Sequence, residues 1–140
     1  MERIIHVLEI DTNPRQVFLA LTLPDKLRQW WTTQVETDTT NAVLRFRFHE
    51  DFNPNMRIEE QQQDKEVSWH CVGGHDNWHE STLAFGLQGD DQSTMVIFAQ
   101  DFAEELDEVV YGRYNFNWGY YLDSLRLFCE TGRGKPFQSA

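Results

Sequence analysis

Positive charge is scarce in this 140-residue sequence: twelve Lys and Arg stand against 23 Asp and Glu, a formal net charge of −11. That balance excludes nucleic acid and membrane surfaces as default partners, because neutralising phosphate needs a basic patch. Cysteine is nearly absent. Cys71 and Cys129 stand far apart and make no disulfide framework, so both are expected as buried, reduced thiols in a cytoplasmic protein. No apolar run approaches the roughly 18 residues of a membrane-spanning helix. The start, Met1-Glu2-Arg3-Ile4-Ile5-His6, lacks the apolar stretch of a signal peptide. There is no glycine-rich phosphate loop, and Ser68, Ser81, Ser93 and Ser124 lie outside any Gly-x-Ser-x-Gly elbow. No catalytic residue is assigned, no cofactor is expected, and the balance leans away from an enzyme.

Aromatic residues, in contrast, make up 14% of the chain, enough to line a large core or a cavity. The β-branched run Ile4 to Ile10 predicts a first strand, ended by Asp11-Thr12-Asn13-Pro14. Asn13 suits an N-cap and Pro14 the first helical turn, with Val17, Phe18, Ala20 and Leu21 forming an apolar side. Pro24 opens a second short helix carrying Leu27, Trp30 and Trp31. The period then changes to two. Leu44, Phe46 and Phe48 alternate with Arg45 and Arg47; Met56 and Ile58 with Arg57 and Glu59; Val67, Trp69 and Cys71 with Ser68 and His70; Leu83, Phe85 and Leu87 with Ala84 and Gly86. Thr94 to Gln100 is a further strand whose facing is ambiguous. From about Glu104 to Thr131 apolar residues recur at three and four, most firmly over Asn117 to Glu130, before Gly132, Gly134 and Pro136.

This order predicts an α+β fold: a curved antiparallel sheet of about six strands wrapped around one long C-terminal helix, with two short helices after the first strand, all in a single domain over 1–140. A strongly curved sheet on a helix leaves space between them. The expected lining is Trp31, Phe46, Phe48, Met56, Ile58, Trp69, Cys71 and Phe85, with Tyr114, Trp118 and Tyr121 from the helix.

Few residues suggest chemistry. His70-Cys71-x-x-x-His75-x-x-x-His79-Glu80 holds zinc-type ligands. Consecutive strand residues point to opposite faces, however, and His75 and His79 flank turn residues, so no metal is assigned and these are read as exposed loop histidines. Glu60 shares the parity of Met56 and Ile58; it is either a cavity acid or a carboxylate in water at the strand's open end. Tyr114 and Tyr121 either offer hydroxyls to a ligand or pack with them at the rim. The acidic run Glu104-Glu105-Leu106-Asp107-Glu108 suits the positive end of a helix dipole, or a basic partner.

Several spaced matches point one way. Asn13-Pro14-x-x-Val17-Phe18-x-Ala20-Leu21 is followed by Pro24-x-x-Leu27-x-x-Trp30-Trp31, then Met56-x-Ile58-x-Glu60, Val67-x-Trp69 and Trp78-x-x-Ser81-Thr82-Leu83-x-Phe85-x-Leu87. Thr94-x-Val96, Trp118-x-x-Tyr121-Leu122-x-Ser124-Leu125 and Glu130-Thr131-Gly132-x-Gly134-x-Pro136 complete the series. In this order they resemble START-like (SRPBCC, helix-grip) proteins, more narrowly the homologues of the C-terminal domain of the heat-shock-protein ATPase activator. Asn41-Ala42 and Asn117 stand where glycines are usual, and Gln100 where many relatives carry His. The resemblance implies a cavity between sheet and helix and a small apolar or aromatic ligand, with a co-chaperone-like interaction module or a polyketide cyclase-like enzyme as alternatives. A protein partner and a homodimer remain open.

Overall fold

The computed structural model describes residues 2–138. Met1 and residues 139–140, which the expected domain span 1–140 includes, lie outside the described residues. The elements run β1 (Arg3–Ile10), α1 (Pro14–Thr22), α2 (Pro24–Trp30), β2 (Gln34–Asp38), β3 (Val43–Arg47), β4 (Asn55–Gln62), β5 (Glu66–Gly73), a 3-10 turn (Asp76–Trp78), β6 (Thr82–Gly89), β7 (Thr94–Asp101) and α3 (Glu108–Thr131). The strands form one antiparallel sheet in the order β1-β7-β6-β5-β4-β3-β2. The first strand thus closes beside the last, and the remainder is a meander.

The α+β architecture is as expected, with seven strands rather than six. The additional strand is β2, Gln34-Val35-Glu36-Thr37-Asp38, in which Val35 is the one buried residue, so it shows no apolar alternation. It is held by pairing with β3, by ion pairs from Arg45 to Asp38 and Arg47 to Glu36, and by Arg28, whose guanidinium donates twice to the Val35 carbonyl. The facing of β7 is resolved as well. Thr94, Val96, Phe98 and Gln100 point inward, whereas Ile97 is exposed.

Helix α1 begins as its sequence implies: Asn13 accepts from the Gln16 amide and Pro14 fills the first turn. The long helix starts at Glu108, later than the acidic run suggested. Asp107 caps it, accepting from the amides of Val109 and Val110. Glu104 and Glu105 therefore precede the helix. Trp118, Leu122 and Leu125 of α3 are buried against the inner sheet face of Ile4, Phe85, Val96 and Phe98. At the far end Gly132 takes a left-handed conformation (φ 85°) and donates to the Phe128 carbonyl. The chain then doubles back. Ser124 Oγ donates to the Trp30 carbonyl and accepts from the Lys135 amide, and Phe137 exchanges backbone hydrogen bonds with Trp31 and Thr33.

One irregularity decides the place of Glu60. The β4–β5 register slips between Ile58 and Glu60, so that Ile58 faces inward-pointing Trp69 but Glu60 faces outward-pointing Ser68. The bulge at Glu59 turns Glu60 onto the outer face, where it is exposed. Parity counted from Met56 fails at that step, and Glu60 is a carboxylate in water.

Candidate functional site

A cleft of about 480 Å³ opens at one end of α3. Its floor is aromatic. Trp31, at the end of α2, Trp78, on the 3-10 turn, and Trp118, on α3, lie nearly parallel, with ring centroids 5.3–6.3 Å apart and interplanar angles of 20–29°. Phe48 and Phe52 come from the segment after β3, Tyr114 and Tyr121 from α3, and Phe137 from the returning tail.

Trp31, Phe48, Tyr114, Trp118 and Tyr121, all expected as lining residues, meet in this cleft. Phe46, Met56, Trp69, Cys71 and Phe85 are fully buried in the packed core and do not line it, and Ile58 is half-buried on β4. The reason is the bulk of Trp31. Its indole occupies the concavity that the curvature of the sheet would leave, 4.3 Å from the Phe46 ring and 6.2 Å from Trp69. The remaining room lies beyond it, toward the loops. Cys71 is a buried free thiol that donates to the Gly73 carbonyl, and burial raises its pKa.

The polar corner of the cleft joins residues far apart in the sequence. His75 is half-buried, not an exposed loop histidine: it lies 2.8 Å from the Asp51 carbonyl through Nδ1 and 2.7 Å from Tyr114 Oη through Nε2. Asn77 Nδ2 donates to the same hydroxyl at 3.3 Å. Burial pushes the Tyr114 phenol above its ordinary pKa, opposed by the Asn77 hydrogen bond and the Arg113 charge and assisted by Asp51. Tyr121 is raised too, mainly by burial. Gly74 makes this meeting feasible. Its φ is 95°, and a Cβ there would collide with the Asn53 backbone, so only glycine lets the 75–78 segment lie on the loop carrying Asp51. The pair Gly73-Gly74 before His75 was the available signal. Contacts across such a turn do not follow from spacing alone. His70 and His79 both turn to Glu80, at 3.3 and 3.4 Å, and among the described residues no group of His, Cys, Asp and Glu is arranged to hold a metal.

Gln100 lies behind the cleft. Its Oε1 accepts from Trp118 Nε1 at 2.7 Å and its Nε2 donates to Ser81 Oγ at 3.2 Å. The side chain therefore fixes the plane of the Trp118 indole and does not enter the cleft.

Among solved structures, the chain is similar to the Aha1 dimer of Colwellia psychrerythraea, with 26% identity, 96% of this chain and 100% of that chain covered, and a TM-score of 0.82. The protein SSP2350 from Staphylococcus saprophyticus matches with 18% identity, 96% of each chain and a TM-score of 0.74. CalU16 from Micromonospora echinospora matches with 16% identity, 95% of this chain, 76% of that one and a TM-score of 0.71. The last two show the fold alone. No curated protein matches. No helix of the described residues is long and apolar enough to cross a membrane. The START-like, helix-grip architecture is thus shared along nearly the whole chain. The family profile described as "Activator of Hsp90 ATPase homolog 1-like protein" matches residues 11–130, and the chain belongs to that family.

Proposed function

We propose that this chain is a binding domain for a small apolar or aromatic molecule held in the cleft beside α3. The observation that carries the reading is the make-up of the cleft: three near-parallel indoles with Phe48 and Tyr121 form an apolar wall, and Tyr114, His75 and Asn77 converge on one side of it. An apolar lining with a few placed polar groups is the usual composition of a small-molecule site, and the volume falls within the common range of roughly 300–1,000 Å³. Of the lining residues expected from the sequence, Trp31, Phe48, Tyr114, Trp118 and Tyr121 are assigned to the ligand. A cyclase-like activity ranks lower, since the site offers one phenol–imidazole pair and its lining carboxylate, Asp51, is exposed to water. A single domain over 1–140 and a reducing, cytoplasmic setting belong to the same proposal, the latter supported by the two free thiols.

A second reading is a surface-acting module with a protein partner, of the kind that the family's description names. It is favoured by the outer face of β1 and β7, where Ile5, Val7 and Ile97 are 53%, 60% and 40% exposed. Exposed aliphatic groups together on one face mark interaction surfaces more often than chance placement does. Since the Colwellia relative is a dimer, a homodimer through this face is part of the second reading.

Native mass spectrometry of the purified protein, set beside the same sample denatured, separates the two. Extra mass that disappears on denaturation is the expected result. A clean mass, with no thermal shift from a panel of apolar and aromatic compounds, would overturn the ligand reading in favour of the surface one.

A further inference from the structure

The His75 ring is held between a backbone carbonyl and a phenol. A carbonyl oxygen only accepts, so in the neutral ring the proton resides on Nδ1, directed at the Asp51 oxygen. Nε2 is then a bare lone pair, and the 2.7 Å hydrogen bond to it is donated by the Tyr114 hydroxyl. Asn77 Nδ2 donates to that hydroxyl oxygen from another side. A phenol has one proton and two lone pairs. The proton is committed to His75, one lone pair to Asn77, and one lone pair is left over. All three side chains line the aromatic cleft. The ring is also fixed against rotation: it stands edge-on to Phe52, with centroids 5.0 Å apart and an interplanar angle of 78°, and edge-on to Tyr114 at 81°.

We infer that Tyr114 Oη serves the bound molecule as a hydrogen-bond acceptor, so that the cleft selects planar aromatic ligands carrying an O–H or N–H donor over those carrying only a carbonyl or ether oxygen. The inference rests on the ligand reading above and adds the polarity of its anchor. A donor ligand completes the fourth position around the phenol oxygen and stacks its ring on the indoles. A ligand with a carbonyl oxygen instead sets lone pair against lone pair and forfeits the water it gave up on entry. The selection is made by His75 through Tyr114, since it is the imidazole that occupies the phenol's only proton.

Three probes of similar ring area test it at pH 8, where an ordinary imidazole is neutral. They are naphthol, acetylnaphthalene and naphthalene, titrated against the full chain and followed by the indole N–H resonances. The expected result is that naphthol binds roughly three- to tenfold more tightly than acetylnaphthalene, the worth of one hydrogen bond. In His75→Phe, which keeps a ring against Phe52 but cannot take the proton, the Tyr114 hydroxyl is free to donate, and acetylnaphthalene should gain until the preference disappears. Binding of all three with equal affinity to the wild-type protein, or a preference for the ketone, overturns the inference and leaves the ligand reading standing. Failure of all three to bind overturns that reading and the inference with it. The wild-type comparison decides the matter even if the variant does not fold.

Discussion

Gln100 is fully buried, and both ends of its amide are used, one by the Trp118 indole and one by Ser81. Gln100→Leu keeps much of the volume but strands an indole N–H and a hydroxyl in the interior. Leaving buried polar groups unpaired costs about 1–3 kcal/mol, so the urea midpoint of this variant should fall accordingly, while Gln100→His, which can serve Trp118, should lose less. Cys129 acts through solvent pH. It sits on α3, partly and not fully buried, and that burial with the neighbouring Glu130 charge pushes the thiol up to about 12. A folded-state pKa above the unfolded value stabilises the fold below the unfolded pKa, and that contribution fades as pH rises toward the folded one. Tyr114 and Tyr121 are shifted in the same direction. The contribution of these three groups should therefore be level up to about pH 9 and decline between there and about pH 12. In Cys129→Ala, urea unfolding at about pH 8 and about pH 10.5 should differ less than in the wild-type protein.

At the scale of elements, the long helix carries a weakness that can be removed. Gly112 lies in its second turn, exposed, with nothing within 4 Å of where a Cβ would stand. Gly112→Ala should stabilise by about 0.5–1 kcal/mol and raise Tm by about 1–4 °C, read by thermal unfolding. Gly134 is the opposite case, since a Cβ there would lie 2.6 Å from the Gln29 carbonyl oxygen and 3.0 Å from Ser124. The same physics explains which elements were legible. Strands β5 and β6 alternate cleanly because one face is dry, as does β3 after Val43, and their inward residues could be named from period alone. Strand β2 could not, because its stability comes from pairing and from charges on β3 and α2 and not from its own apolar residues. The bulge in β4 was equally invisible: Glu59 and Glu60 have the same side chain, and nothing in the sequence tells which one steps out of register.

Across the whole molecule, the order of elements and the aromatic interior followed from residue spacing, whereas the location of the cleft did not. Curvature of the sheet suggests space under all of it, but five of the expected lining residues are consumed by mutual packing around Trp31. What remains open depends on three separate loops and the tail meeting at one end, and a contact such as His75 with Tyr114, 39 positions apart, has no local signature. The family resemblance supplied the architecture and left this polar corner unmarked, since its residues lie outside the spaced matches apart from Trp78.

The returning tail sets the order in which the cleft can be built. Phe137 is at once a wall of the cleft and the backbone partner of Trp31 and Thr33, the latter joining the start of β2 to the far end of the sequence. Because Phe137 follows α3 in the chain, that wall can form only after the sheet and the long helix have been made, so the cleft is completed after the elements that frame it.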